Sequence, residues 1–198
     1  MGQSYMVKFE YSAKNWMIQI AENSSRFYKN RWNVMKYGRI FPLVQQMEIK
    51  NHHTILGLKT DLGKWGITAE YCYFDIFEKL DEHELENYMV LIRRIEEDST
   101  NCSDREHEYT FISLVIVTSS FNDRSLRKKL KRFRADKQFK SEDNQYGWSS
   151  CRLCVADIEN GEYYCSAMGD SVRNRLLGQN FNSPVLLNRI KNQLFRRH

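Results

Sequence analysis

Residues 111–117 read Phe-Ile-Ser-Leu-Val-Ile-Val and are apolar at every position except Ser113. A strand with one face in water alternates apolar and polar side chains, whereas a strand covered on both faces is apolar almost throughout. The segment 109–118 therefore predicts a central strand that is packed on both sides. In a chain of 198 residues, such a strand favours a sheet with helices on its faces.

Helical and strand patterns are mixed along the rest of the chain. Apolar spacings of three and four predict helices that begin at Ser12, at Asp81, at Asn122 or Asp123, and at Ser183; we expect the first to end before Gly38. Strands are predicted over 40–49, 53–59, 65–78, 109–118, 137–140, 148–158 and 162–167, with a hairpin turn at 60–63 between the second and third.

The predicted order is therefore α-β-β-β-α-β-α-(β)-β-β-α. It indicates an α+β or mixed α/β fold with a single mixed, largely antiparallel sheet and helices on its faces. We expect one domain over residues 1–198. A weak division near 99–105 is the best candidate boundary, but the predicted central strand follows it directly.

Charge is distributed unevenly along the sequence. Residues 122–140 carry nine basic and two acidic side chains, a net charge of +7, although the whole chain is only +5. Residues 81–108 carry ten acidic side chains and three arginines, a net charge of −7. The basic character of the protein thus comes mainly from one predicted helix, and an acidic helix precedes it.

Composition excludes several classes of protein. The aromatic content of 13% is too high for a disordered chain. The longest aliphatic run, 114–117, falls far short of the ~20 residues that span a membrane. The first ten residues lack the apolar stretch of a secretory signal, and five cysteines are an odd number for a disulfide framework. We therefore expect a soluble cytoplasmic protein with reduced thiols.

The second half of the chain combines several short motifs. His107-x-Tyr-Thr precedes the aliphatic strand, a Leu-Arg-Lys-Lys-Leu-Lys-Arg-Phe helix follows it, and Lys137-x-Phe-Lys and Gly147-Trp148 come next. Over about residues 106–169 this pattern resembles an uncharacterised prokaryotic family of unknown function. The resemblance implies an α/β fold and a microbial, intracellular setting, and it implies no catalytic residue.

The basic segment is the strongest candidate for a binding surface. We expect it to contact an acidic protein partner, or the acidic helix of a second copy of the chain. Nucleic-acid binding by the same surface is the alternative, because Lys and Arg neutralise phosphates and a nearby aromatic ring can stack on bases. The predicted surface comprises Arg124, Arg127, Lys128, Lys129, Lys131, Arg132, Arg134, Lys137 and Trp148.

Metal binding is a weaker hypothesis for the cysteines. Cys151 and Cys154, with Cys102 and His107, have the residue types of a zinc site. However, positions i and i+3 of a strand point to opposite faces. We therefore interpret the cysteine pair as separate buried thiols and predict neither a metal site nor a cofactor. Cys102 with His107 also has the composition of a nucleophile–base pair.

A third class, a metal-assisted hydrolase, rests on Asp61 and Glu70. The Lys that usually accompanies such a carboxylate pair is missing after Glu70. The glycine-rich, Walker-type, His-Glu-x-x-His and Gly-x-Ser-x-Gly motifs are also absent from the sequence. The sequence thus favours a binding or accessory protein over an enzyme and predicts no catalytic residue.

Overall fold

The computed structural model describes residues 2–52, 54–55, 58–59, 65–100, 107–140 and 146–177. Its helices are α1 (Gly2–Ser24), α2 (Glu82–Thr100), α3 (Arg124–Arg132) and α4 (Asp170–Leu176). Its strands are β1 (Lys29–Lys36), β2 (Arg39–His52), β3 (Thr54–Ile55), β4 (Leu58–Lys59), β5 (Trp65–Ile76), β6 (His107–Thr118), β7 (Asp136–Lys140), β8 (Tyr146–Asp157) and β9 (Glu162–Cys165).

Seven of these strands form one open mixed sheet in the order β1-β2-β5-β6-β8-β7, with β9 also paired to β8. The β1–β2, β2–β5, β7–β8 and β8–β9 pairs are antiparallel, whereas β5–β6 and β6–β8 are parallel. Each parallel pair is joined through a helix, as a crossover connection requires. The fold is therefore α+β, as the sequence predicts.

Helices cover both faces of this sheet. Helices α2 and α3 pack on one face, which we call the α3 face, where the buried core includes Leu85, Leu126 and Ile112. Helices α1 and α4 pack on the other, the α4 face, around Met17 and Val172. Strand β6 supplies buried residues to both layers, which confirms the prediction of a central strand covered on both sides.

The capping residues predicted for α2 and α3 agree with the structure. The Asp81 carboxylate accepts a hydrogen bond from the Glu84 backbone N–H at 2.8 Å, which caps α2. Asp123 rather than Asn122 caps α3, since its Oδ1 accepts the Ser125 N–H at 2.6 Å. In the turn after β8, Gly161 has a φ of 66°, a left-handed conformation that favours glycine.

The structure differs from the sequence prediction in several elements. Helix α1 begins well before Ser12, whose hydroxyl donates to the Lys8 carbonyl within the helix, and the chain from Lys29 to Lys36 is strand β1 rather than helix. The predicted strand 53–59 is replaced by the short pair β3–β4, and β5 pairs with β2 instead. Helix α4 was not predicted. The turn at 60–63 and the helix after Ser183 lie outside the described residues.

Within the described part of the chain, no helix is both long and apolar enough to cross a membrane. The outer strands of the sheet are β1 at one edge and β7 with β9 at the other, and of these β1 and β7 are rich in basic residues. Strand β1 carries Lys29, Arg31 and Lys36, and β7 carries Lys137 and Lys140.

Candidate functional site

Helix α3 is anchored to the sheet through one narrow apolar stripe. Leu126 and Leu130 are buried, and Phe133, which ends the helix, is 5% exposed. Spacings of four and three place these residues on one side of the helix. The remaining positions are almost entirely basic, so the fold turns the charged side of α3 away from the core.

Two of the basic residues of α3 make contacts within the chain. The Lys129 ammonium contacts the Glu82 carboxylate at 2.8 Å and also the Glu86 carboxylate, both on α2. Arg127 donates from Nε to the Phe121 carbonyl at 2.7 Å and lies 4.2 Å from the centre of the Tyr164 ring. These two side chains therefore hold α3 against α2 and β9.

The contacts of Lys129 also change the ionisation of the groups involved. The hydrogen bonds that Lys129 donates to Glu82 and Glu86 raise the pKa of Lys129 above its ordinary value. In return, the hydrogen bond and charge of Lys129 lower the pKa of Glu86. The acidic helix thus contacts the basic helix inside one molecule, in addition to any contact it makes with a second copy.

The outward side of α3 forms what we call the basic surface. It consists of four exposed side chains at positions i, i+4, i+7 and i+8, which share one side of a helix. They are Arg124, Lys128, Lys131 and Arg132. None of the four forms an ion pair with an acidic group among the described residues. Their positive charge is therefore presented to solvent.

The other residues of the predicted surface lie at different distances from α3. Arg134 is exposed just after the helix. Lys137 is exposed on β7, where it pairs with Ser149 of β8. The Ser149 hydroxyl in turn donates a hydrogen bond to Glu96 of α2. Trp148, however, packs edge-on against Phe111 with ring centres 5.2 Å apart, on the α4 face. The structure therefore does not bring Trp148 to the basic surface.

The cysteine candidates separate as strand geometry predicts. Cys151 belongs to the core of the α3 face and Cys154 to that of the α4 face. Burial raises the pKa of both thiols well above the ordinary value, which disfavours the thiolate that a metal ligand requires. The described residues contain no group of three or more potential metal ligands. Cys102 and the side chain of His107 lie outside the described part.

A second polar site lies on the α4 face, where the sequence predicted only a carboxylate. Glu70 of β5 is 8% exposed. One of its oxygens, Oε1, lies 3.7 Å from Nη1 of Arg152 on β8 and 3.7 Å from Nη1 of Arg175 on α4. The other, Oε2, accepts a hydrogen bond from the Tyr28 hydroxyl at 2.9 Å. We call Glu70, Arg152 and Arg175 the arginine cluster.

The surroundings of Glu70 bear on the hydrolase hypothesis. Its carboxylate faces two cations and a hydroxyl donor, whereas a metal ion prefers a cluster of negatively charged oxygens. Asp61, the second predicted carboxylate, lies outside the described residues. The described surroundings of Glu70 thus suit an ion-pair network better than a metal centre.

Burial controls the protonation of the groups around this cluster. Burial raises the pKa of the Cys72 thiol to about 11, although Arg175 opposes the shift. Burial and the charge of Glu70 also raise the pKa of Tyr28. For Arg175, burial acts to lower the pKa, but the neighbouring acidic groups Cys72, Tyr28 and Glu70 hold it above its ordinary value. At neutral pH Tyr28 and Cys72 are therefore neutral beside the charged guanidinium of Arg175.

Sequence analysis did not predict this cluster. Arg152 offers a signal, because it interrupts the otherwise apolar segment 151–156 and a charge in a buried strand needs a partner. Arg175 offers none, since it lies in a helix of only seven residues. The three side chains meet only because β6 lies between β5 and β8 and α4 returns over the same face.

Fold and sites together define an α+β protein with a basic helical surface on one side of its sheet and a buried arginine cluster on the other. The profile of a domain of unknown function, DUF8052, matches residues 13–177. Because this match covers most of the chain, the protein belongs to that family. No curated protein and no solved structure matches the chain.

Proposed function

We propose that this protein is an intracellular binding or accessory module that contacts an acidic protein partner through the basic surface of α3. The observation that carries the proposal is the exposure of Arg124, Lys128, Lys131 and Arg132 without an acidic contact from the described residues. Four cations on one side of a rigid helix form a field that attracts and orients an acidic surface.

The geometry favours a protein partner over nucleic acid. Binding of single-stranded nucleic acid combines phosphate contacts with base stacking on aromatic rings. The predicted aromatic residue, Trp148, packs against Phe111 on the opposite face, so it does not lie beside the charges of α3. A homo-oligomer built on the acidic side of α2 would compete with Lys129 for Glu82 and Glu86. A different acidic protein therefore fits the surface better.

The test reverses three exposed charges that form no ion pair among the described residues. In the variant Arg124→Glu/Lys128→Glu/Arg132→Glu, the basic surface is inverted while Lys129 still holds α2. The matched control, Lys8→Glu/Lys14→Glu/Arg31→Glu, makes the same change in net charge at exposed positions of α1 and β1. Both variants are expected to keep the wild-type circular dichroism spectrum and melting temperature.

Native mass spectrometry of protein purified from its source cells at low salt identifies the partner, and binding is then measured by titration. We expect the surface variant to lose at least tenfold in affinity, since each charged contact at an interface contributes ~0.5–1.5 kcal/mol. The control is expected to change affinity less than threefold. Equal losses in the two variants would refute the proposal.

The same two variants distinguish nucleic acid. Fluorescence anisotropy with labelled single- and double-stranded oligonucleotides measures binding from 50 to 200 mM salt. If the basic surface bound nucleic acid, the affinity would fall steeply with salt and would be lost in the surface variant. That outcome would replace the protein-partner proposal with the nucleic-acid alternative.

A further inference from the structure

The arginine cluster contains more hydrogen-bond donors than its own residues satisfy. Nε of Arg152 and all three nitrogens Nε, Nη1 and Nη2 of Arg175 are buried and lack a hydrogen-bond partner. The two distances to Glu70, 3.7 Å each, are ion-pair contacts and exceed hydrogen-bond length. A buried guanidinium with unused donors is costly, so these donors require an acceptor.

Two hydroxyl groups beside the arginines are also unpartnered. The side chains of Ser113 on β6 and Ser150 on β8 are fully buried, and neither oxygen forms a hydrogen bond. Strand register places Ser113 beside Arg152, and it places Ser150 beside Phe111. Side chains at paired positions project from the same face of a sheet, so these hydroxyls and the guanidinium groups share one patch of the α4 face.

Each of the two guanidinium groups lies over an aromatic ring. Arg152 lies over the Phe111 ring at 4.1 Å, and Arg175 lies over the Tyr28 ring at 4.5 Å. The N–H donors of a guanidinium group lie around its edge and can bind an oxyanion through two parallel hydrogen bonds. The ring contacts therefore restrict the positions of both groups before any ligand binds.

The balance of charges in the cluster also favours a negatively charged ligand. Two guanidinium ions face one carboxylate, and among the described residues Glu70 is the only acid in ion-pair contact with either arginine. The chain beyond α4, residues 178–198, contains no Asp or Glu. Among the described residues, the second positive charge of this buried site therefore has no acid in ion-pair contact, and a buried unpaired charge is costly.

We propose that the arginine cluster, with Ser113 and Ser150, binds a phosphate group. The guanidinium groups of Arg152 and Arg175 donate hydrogen bonds to its oxygens, and the two serine hydroxyls complete the set of donors. Without phosphate, Glu70 stabilises the site by balancing part of the positive charge. The phosphate is either the free ion or the phosphoryl group of a small metabolite. This site lies on the opposite side of the sheet from the basic surface and is independent of it.

The first experiment compares inorganic phosphate with chloride at the same ionic strength by differential scanning calorimetry. A ligand that binds only the folded state raises the melting temperature. At a hundredfold excess over the dissociation constant, we expect a rise of roughly 5–10 °C for a chain of this size, and the rise should continue with the logarithm of the phosphate concentration. Isothermal titration should give one phosphate per chain. No rise beyond that in chloride would overturn the proposal.

A matched pair of variants on α4 localises the effect. Arg175→Met removes a cluster guanidinium, whereas Arg173→Met removes an exposed one from the same helix. We expect Arg175→Met to abolish the phosphate-dependent rise and Arg173→Met to retain it. An equal response in the two variants would overturn the assignment.

Two further variants keep the test decisive if Arg175→Met fails to fold. Ser113→Ala/Ser150→Ala removes only two hydroxyls and should weaken phosphate binding several-fold; an unchanged dissociation constant would contradict the proposal. Glu70→Gln removes the internal negative charge, so phosphate should bind about tenfold more tightly. Weaker phosphate binding by Glu70→Gln would also contradict it.

A comparison of three ligands distinguishes a site for free phosphate from a site for a phosphorylated metabolite. Adenosine monophosphate and ribose 5-phosphate are titrated beside inorganic phosphate under identical conditions. Tighter binding of either compound than of inorganic phosphate identifies the site as one for a phosphorylated metabolite. Equal or weaker binding identifies the free ion as the ligand.

Discussion

Removal of the Asp157 side chain is expected to destabilise the protein and to disorder the start of the basic helix. Asp157 ends β8, is fully buried, and accepts three hydrogen bonds. One comes from the Phe121 backbone N–H at 2.9 Å, and two come from the Asn160 backbone N–H and side-chain amide at 3.1 and 2.9 Å. The carboxylate thus holds together the segment that precedes α3 and the turn that follows β8.

The magnitude follows from these contacts. A hydrogen bond to a charged acceptor contributes ~1.5–3 kcal/mol, and an unsatisfied buried N–H costs ~1–3 kcal/mol. The hydrogen bond from Phe121 is buried, so we assign it the full contribution to the free energy of unfolding. The two hydrogen bonds from Asn160 are partly exposed, so we assign them a smaller contribution. Asp157→Ala should therefore lower the free energy of unfolding by about 3–4 kcal/mol, or the melting temperature by ~6–16 °C. Asp157→Asn retains one acceptor oxygen and should cost about half as much.

Urea denaturation, followed by circular dichroism and by tryptophan fluorescence, measures this loss. Glu97→Ala serves as the control, because it removes an equal charge from an exposed position on α2 and should change stability by less than ~0.5 kcal/mol. If Asp157→Ala were no more destabilising than Glu97→Ala, the proposed anchoring of α3 by Asp157 would be wrong.

Three other substitutions have defined outcomes. A Cβ at Gly169 would lie 2.5 Å from Cβ of Cys165 and 3.2 Å from Sγ of Cys154, so Gly169→Ala should shift α4 and cost about 1–3 kcal/mol in urea denaturation. Leu130→Ala leaves a cavity under α3 and should cost about 2–5 kcal/mol by the same assay. The Cys72 thiol has a folded-state pKa of about 11 against 9.0 when free, so the unfolded chain loses this proton first. Stability should therefore fall between pH 9 and 11, and Cys72→Ala should reduce that slope by up to ~1.4 kcal/mol per pH unit; an unchanged slope would contradict the assignment.

Much of the fold could be predicted because its core elements have strong local patterns. Strand β6 is apolar on both faces, and α2 and α3 carry a capping residue before an apolar stripe. Strand β1 was missed because its two ends and most of its interior are exposed, so it has no apolar alternation. Helix α4 was missed because seven residues with three charged side chains give no periodic signal.

The two candidate sites differ in how far sequence could reveal them. The basic surface is local, since its residues lie within nine consecutive positions, and their charge is visible in the sequence. The arginine cluster joins Glu70, Arg152 and Arg175, which are distant in sequence. Their meeting depends on the order of strands in the sheet, and pairing of distant strands leaves no mark in a single sequence.

The basic outer strands described above have a consequence for aggregation. An open sheet exposes unpaired N–H and C=O groups at its margins, and such margins recruit further strands into fibrils. Strand β1 carries Lys29, Arg31 and Lys36 and no acid, so two copies approaching through this margin would repel each other. The charges of this strand therefore act as gatekeepers against fibril growth through the β1 margin.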